Sequence, residues 1–344
     1  MLNLWSNIFN GVTFEEDKDY LRQLRKIAST EIGETVPHSG HRYAMRRAAS
    51  TLTNAAHLRE LCSGLSFVEF MKKSAENADV DEVIDNLKKI GKLVFQKDTM
   101  RCALNGEASR IRSSLNSYEE FLKSLPRAEK CSKEGSSLNV SNAPPFSNPN
   151  TNQEHFVLPF NCNYIGRAQV CVPFTHEAYP KLNIVAKLLS AKFLHQEIRE
   201  KGGAYGGGAT LGKSGIFSFF SYRDPKVVST LNSFEAGLKW ILNDDNYTNQ
   251  DLNEAKLSAF QEVDKPIAAG NQGIRNFLEQ IDDKMLSEFR LRLLNVTRED
   301  MKEVVNGFLA NGSQTNCTGV ALLGPECEEI SRDQDKWKKI QPAI

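Results

Sequence analysis

An arginine in the last turn of a helix, two glycines at its stop and a tyrosine among further glycines are the groups in this chain best suited to chemistry. They lie in the run Phe193-Leu194-His195-Gln196-Glu197-Ile198-Arg199-Glu200-Lys201-Gly202-Gly203-Ala204-Tyr205-Gly206-Gly207-Gly208. The Arg199 guanidinium and the Tyr205 phenol are donors suited to carbonyl oxygens, and a phenol can serve a developing oxyanion. Gly206, Gly207 and Gly208 carry no side chains, so another backbone can approach the strand closely. Arg199, Tyr205, Gly206 and Gly207 thus read as a candidate peptide groove. The ordinary reading stands beside it: Arg199 complements the helix C-terminal dipole, and Tyr205 packs with its hydroxyl at the surface.

Other motifs carry less. Gly207-Gly208-Ala209-Thr210-Leu211-Gly212-Lys213-Ser214 fits the phosphate-loop string. That string works only between a buried strand and a helix N-terminus. Here a helix pattern precedes the glycines and a strand pattern, Ile216 to Tyr222, follows, so a hairpin turn is expected and nucleotide binding is rejected. The six histidines never assemble a zinc ligand set in sequence. His38 and His41 have no acid between them, His195 and Glu197 are two apart, and His57, His155 and His176 stand alone. A helical zinc site needs two histidines one turn apart with an acid between. No G-x-S-x-G occurs, and Glu254, Glu262 and Asp264 read as a solvated helix face.

Composition narrows the classes. With 344 residues, 43 basic against 43 acidic side chains and 40% hydrophobic content, the chain is ordinary globular protein of about two domains. The charge balance argues against general nucleic-acid or membrane-surface binding, and no apolar run is long enough to span a bilayer. Seven cysteines, without a C-x-x-C pair, read as free thiols of a reducing compartment. Met1-Leu2-Asn3-Leu4-Trp5 is not a secretory signal, and Glu15, Glu16, Asp17 and Asp19 are too acidic for a transit peptide.

The elements that position these groups follow from periodicity. Residues 127–153 are expected to be a linker or flexible loop, with Pro144, Pro145 and Pro149 amid Ser and Asn, dividing domains 1–126 and 154–344. The first part reads mostly helical (14–32, 54–64, 67–78, 79–90 and 109–125), with strands at 92–95 and 100–104. In the second, a β-like stretch over 156–173 precedes an amphipathic helix from Pro180 to Lys201, stopped by Gly202-Gly203. Strands over 204–210 and 216–222, helices over 225–243, 249–263, 271–287 and 298–310, and a strand over 318–323 complete it. Strands, then helices, then a strand give an α+β fold, with helices over one face of a largely antiparallel sheet.

Beyond composition, the run from Phe193 to Gly208 resembles the carboxy half of pitrilysin (insulysin-like) inverse-motif zinc metallopeptidases. So do Ser221-Tyr222-Arg223-Asp224-Pro225, Asp251 to Leu257, Ser39-Gly40-His41-Arg42-Tyr43-Ala44 and Phe160 to Gly166. The resemblance implies one half of a clamshell, made of two similar α/β domains, 1–126 (incomplete) and 154–344. It implies zinc held by a partner amino half bearing H-x-x-E-H, which is missing here, and none bound by this chain. Arg199 and Tyr205 then map onto the arginine and tyrosine that the carboxy half adds to the site. Implied too are unstructured peptides as substrates, such as cleaved targeting presequences, and the mitochondrial matrix as the place. Retention of both residues favours a closing half, inert alone, over a non-catalytic assembly shell.

Overall fold

The structure, a computed structural model, describes residues 2–11, 18–77, 79–126, 152–310, 318–332 and 336–342. Six helices come first: α1 (Leu2–Gly11), α2 (Lys18–Ala49), α3 (Asn54–Ser63), α4 (Leu65–Asn77), α5 (Val80–Val94) and α6 (Ala108–Ser124). The strands follow: β1 (Asn152–Val157), β2 (Asn163–Val170), β3 (Gly206–Leu211), β4 (Ile216–Asp224), β5 (Thr318–Gly324) and β6 (Trp337–Ile340). They form one sheet in the order β3-β4-β2-β5-β1-β6, with β1 parallel to both its neighbours and the other pairings antiparallel. The remaining helices are α7 (Tyr179–Leu189), continued in the wider π form from Ser190 to Lys201, then α8 (Val227–Leu242), α9 (Asn249–Val263), α10 (Ile274–Glu279), α11 (Asp283–Leu294), α12 (Arg298–Val304) and α13 (Glu328–Ser331).

β2 is buried from Asn163 through Gln169, which requires cover on both faces of the sheet. Alternation does the sorting. Ile165, Phe217, Phe219 and Leu322 enter one core with Leu182, Leu189 and Ile198 of the 179–201 helix and Phe234 of α8. Tyr164, Ala168, Ala321 and Leu323 enter the other, with Val36, Ala44 and Ala48 of α2 and Leu65 and Val68 of α4. The expected one-sided cover is therefore corrected. Small residues let α2 lie directly on the sheet: a side chain at Gly166 would run into the backbone of Ala44 and Met45, and one at Gly319 into Ala48. α2 runs through Pro37 with a kink whose non-helical residue is Ser39 (φ −128°, ψ 25°).

β3 lies at one edge of the sheet. Gly212 N–H bonds Ile216 O at 2.9 Å, so the antiparallel alternation turns Gly206, Gly208 and Thr210 towards β4 and Gly207, Ala209 and Leu211 outward. Helix hydroxyls meet that outer side: Ser190 Oγ accepts Ala209 N–H at 2.8 Å and lies 3.0 Å from its carbonyl oxygen, and Tyr179 donates to Leu211 O at 3.3 Å.

The chain clusters into two compact units, each assembled from separated segments. One contains the sheet and takes in 30–72, 140–265 and 284–344; the other takes in 1–29, 73–139 and 266–283. The second unit is helical among its described residues. Its aromatic centre stacks Phe9 on Phe95 at 4.2 Å, with Phe121 5.9 Å from Phe9.

Two expected strands are corrected. Residues 92–94 belong to α5, whose Asp79 cap and buried Val80 and Ile84 start a helical stripe that nothing interrupts before Phe95. Residues 100–104 pair with no strand among the described residues. The helix expected over 271–287 is broken at Gln280, whose φ of 56° is left-handed. The α+β class holds, carried by one mixed sheet. The expected linker falls outside the described residues from 127 to 151, and Asn152 and Gln153 already belong to β1.

Candidate active-site residues on the sheet

Leu194 and Ile198 are buried while Arg199 and Glu200 are exposed, so core packing fixes which face of the π-helix meets solvent. The helix stops where the glycines predicted. Gly203 is left-handed at φ 85°, its N–H bonds Arg199 O at 2.9 Å, and Ala204 N–H bonds Ile198 O at 3.1 Å. The chain then turns into β3 with Tyr205 at the corner.

Tyr205 is 65% exposed, and its hydroxyl bonds none of the described residues. The Arg199 guanidinium carbon stands 5.9 Å from its ring centroid. The structure thus brings Arg199 and Tyr205 together as a cation–π pair of unburied donors, an arrangement weak in water at about 0.5–1 kcal/mol. Arg199 Nη1 also lies 3.4 Å from His195 Nε2, while His195 Nδ1 is 3.3 Å from Glu200. His195 gave no sequence signal, because its helical i,i+4 relation to Arg199 resembles no ligand pattern.

The two glycines differ. Gly206 has open space where a side chain would be, as a groove requires. A side chain at Gly207 would strike Ile198, so its bareness is needed for helix-on-strand packing. Gly208 similarly faces Ser190 and Phe220.

Beneath Tyr205 lies a bulge. Between Asn163↔Asp224 and Ile165↔Ser221, β2 advances two residues while β4 advances three. The extra residue falls at Tyr222–Arg223, and Arg223 takes a left-handed φ of 51°. Tyr205 N–H reaches Tyr222 O at 3.0 Å and Arg223 O at 3.4 Å. The Tyr222 ring meets Tyr205 edge-on (5.5 Å, 80°) and His41 edge-on (5.0 Å, 73°). Burial, then the nearby Arg42 charge, hold His41 below the usual histidine range. Burial pushes the neighbouring Tyr164 phenol up to about 12; it donates to the Pro37 carbonyl.

The phosphate-loop string is a hairpin. Gly215 N–H bonds Gly212 O at 2.9 Å, Lys213 O accepts Phe174 N–H at 2.9 Å, and Gly215 O accepts Cys171 N–H at 2.6 Å. Other histidines are structural: His155 Nε2 is 3.1 Å from Pro325 O, and His176 Nδ1 accepts Ala178 N–H at 3.0 Å. Among the described residues no three His, Cys, Asp or Glu side chains are grouped to hold a metal, so the residues present do not fit a zinc ion. Nor is any described helix long and apolar enough to cross a membrane.

The comparisons agree with this architecture. The family model "PreP C-terminal domain" matches residues 153–316, and a second, of a peptidase-associated region, matches residues 1–73. "Presequence protease, mitochondrial" of Xenopus laevis is 39% identical over 97% of this chain and 34% of its own length. The Mus musculus protein of that name is 38% identical over 97% and 34%. This chain thus spans about a third of the curated relatives it matches. The first half of the periplasmic protease PqqL from Escherichia coli shares the fold at 14% identity, with a TM-score of 0.53 over 99% of this chain and 72% of that one. Over 97% of its length the chain is similar to presequence proteases, and the match to the "PreP C-terminal domain" model places that likeness in their C-terminal region.

Proposed function

We propose that this chain is the closing half of a zinc metalloendopeptidase of the mitochondrial matrix that degrades unstructured peptides, such as cleaved presequences. The relatives' printed name supports the substrate and the compartment. Zinc is assigned to a partner amino-terminal half by the resemblance to inverse-motif metallopeptidases. By itself the chain is inert.

One observation carries the reading: two solvent-facing donors, Arg199 and Tyr205, held together at a helix stop beside the open Gly206. In the closed enzyme the Tyr205 hydroxyl donates to the oxygen that becomes tetrahedral, and the Arg199 guanidinium holds a peptide carbonyl. Both act where charge develops, which is where preorganised donors are worth most.

The test is steady-state cleavage of an unstructured peptide by the complete two-half enzyme carrying Tyr205→Phe. The ring remains and one O–H goes, so kcat should fall about 10²–10³-fold, with zinc content and Tm unchanged. Near-normal kcat would leave Tyr205 as packing and return the chain to the role of an assembly shell.

A further inference from the structure

We infer that Tyr222, set on the β4 bulge, is a positioning residue that aims the Tyr205 hydroxyl. The inference rests on the role proposed for Tyr205 and adds what holds that side chain in place.

Tyr205 has no packing of the usual kind to fix its ring, being mostly exposed. What constrains it comes from Arg199 on the helix and from Tyr222 on the bulge. Tyr222 acts twice. Its carbonyl accepts the Tyr205 N–H at 3.0 Å, fixing where the ring leaves the backbone, and its own ring meets the Tyr205 ring edge-on at 5.5 Å. An edge-to-face pair is a preferred aromatic geometry, because the positive ring edge meets the negative ring face.

Tyr222 is in turn held from behind. The His41 ring abuts it at 5.0 Å and the Tyr164 ring at 5.7 Å. His41 Nδ1 is buried without a hydrogen bond, so this nitrogen gives the ring no anchor and aromatic contact sets its place. The Arg223 guanidinium carbon lies 5.4 Å from the Tyr222 ring centroid. The left-handed Arg223 backbone is costly for a non-glycine residue, and such geometry persists where the surroundings over-determine it. In a regular ladder Tyr222 would lack this local offset; the inserted residue re-aims it towards Tyr205.

The experiment uses the complete two-half enzyme in a double-mutant cycle: Tyr222→Leu, Tyr205→Phe and both together, with Tyr222→Phe as the conservative control. A donor displaced by about 1 Å can cost ~10²-fold in rate. Tyr222→Leu should therefore lower kcat about 10- to 100-fold with little change in KM, Tyr222→Phe should restore it, and the double variant should match Tyr205→Phe alone. His41→Ala, which only loosens the support, should show a smaller loss with the same non-additivity, and serves if Tyr222→Leu does not fold. Wild-type kcat in Tyr222→Leu, or a loss that adds fully to Tyr205→Phe, overturns the inference while sparing the role of Tyr205. Wild-type kcat in Tyr205→Phe overturns both.

Discussion

At one end of the β3–β4 hairpin the chain reads Gly212-Lys213-Ser214-Gly215; at the other it reads Ala204-Tyr205-Gly206-Gly207. The first end completes a phosphate-loop string, yet its backbone groups are taken up by the turn and by Cys171 and Phe174. The second end matches no such string, yet it presents an exposed phenol and a guanidinium over a bulge. A glycine-rich motif gains its chemistry from what its N–H and C=O groups are left to do. Where the hairpin consumes them, the string is inert; where a bulge and a helix stop leave donors facing outward, a site is possible without any string.

Three substitutions sharpen the contrast beyond Tyr205→Phe. Arg199→Lys keeps the charge and loses the planar fork, so kcat/KM should drop on the order of 10- to 100-fold, as for a charge-assisted hydrogen bond of about 1.5–3 kcal/mol. A rise in KM alone assigns Arg199 to holding substrate; an equal fall in kcat and kcat/KM assigns it to the transition state. At the turn end, Gly215→Ala places a methyl against Val172 and Pro173 at φ 87°. It should lower stability by roughly 1–3 kcal/mol in denaturant titration while leaving kcat per folded enzyme intact. A loss of turnover there would break the contrast. Lys213→Ala should change neither peptide cleavage nor thermal stability in the presence of a nucleotide triphosphate, and a nucleotide-dependent rise in wild-type Tm would overturn the hairpin reading.

Local signals were legible and long-range ones were not. The apolar stripe Leu182, Val185 and Leu189 and the Gly202-Gly203 stop gave the helix carrying Arg199, because spacing and a left-handed glycine are written within a few residues. Arg199 and Tyr205 lie six residues apart across that stop, with the guanidinium carbon 5.9 Å from the ring centroid. The bulge was invisible, since it exists only as a mismatch between β2 and β4, more than fifty residues apart. His41 behind Tyr222 was equally hidden, as it depends on α2 lying on the sheet across the Gly166 and Gly319 gaps. The kink at Ser39, two residues after Pro37, joins two helical stretches into α2. At 92–95, the three apolar residues after Lys92 matched a strand as well as a helix, and they continue the helix that Asp79 caps thirteen residues upstream of Lys92.

The hydroxyls of Ser190 and Tyr179 give the β3 edge one further property. An edge strand with a full row of free backbone groups invites any extended chain to zip onto it. Here both backbone groups of Ala209 and the carbonyl of Leu211 are already answered, and Gly207 is the other outward residue of β3. The opposite edge, β6, is four residues long and carries Lys338 and Lys339. Both edges thus carry features that disfavour annealing of an extended chain along the sheet.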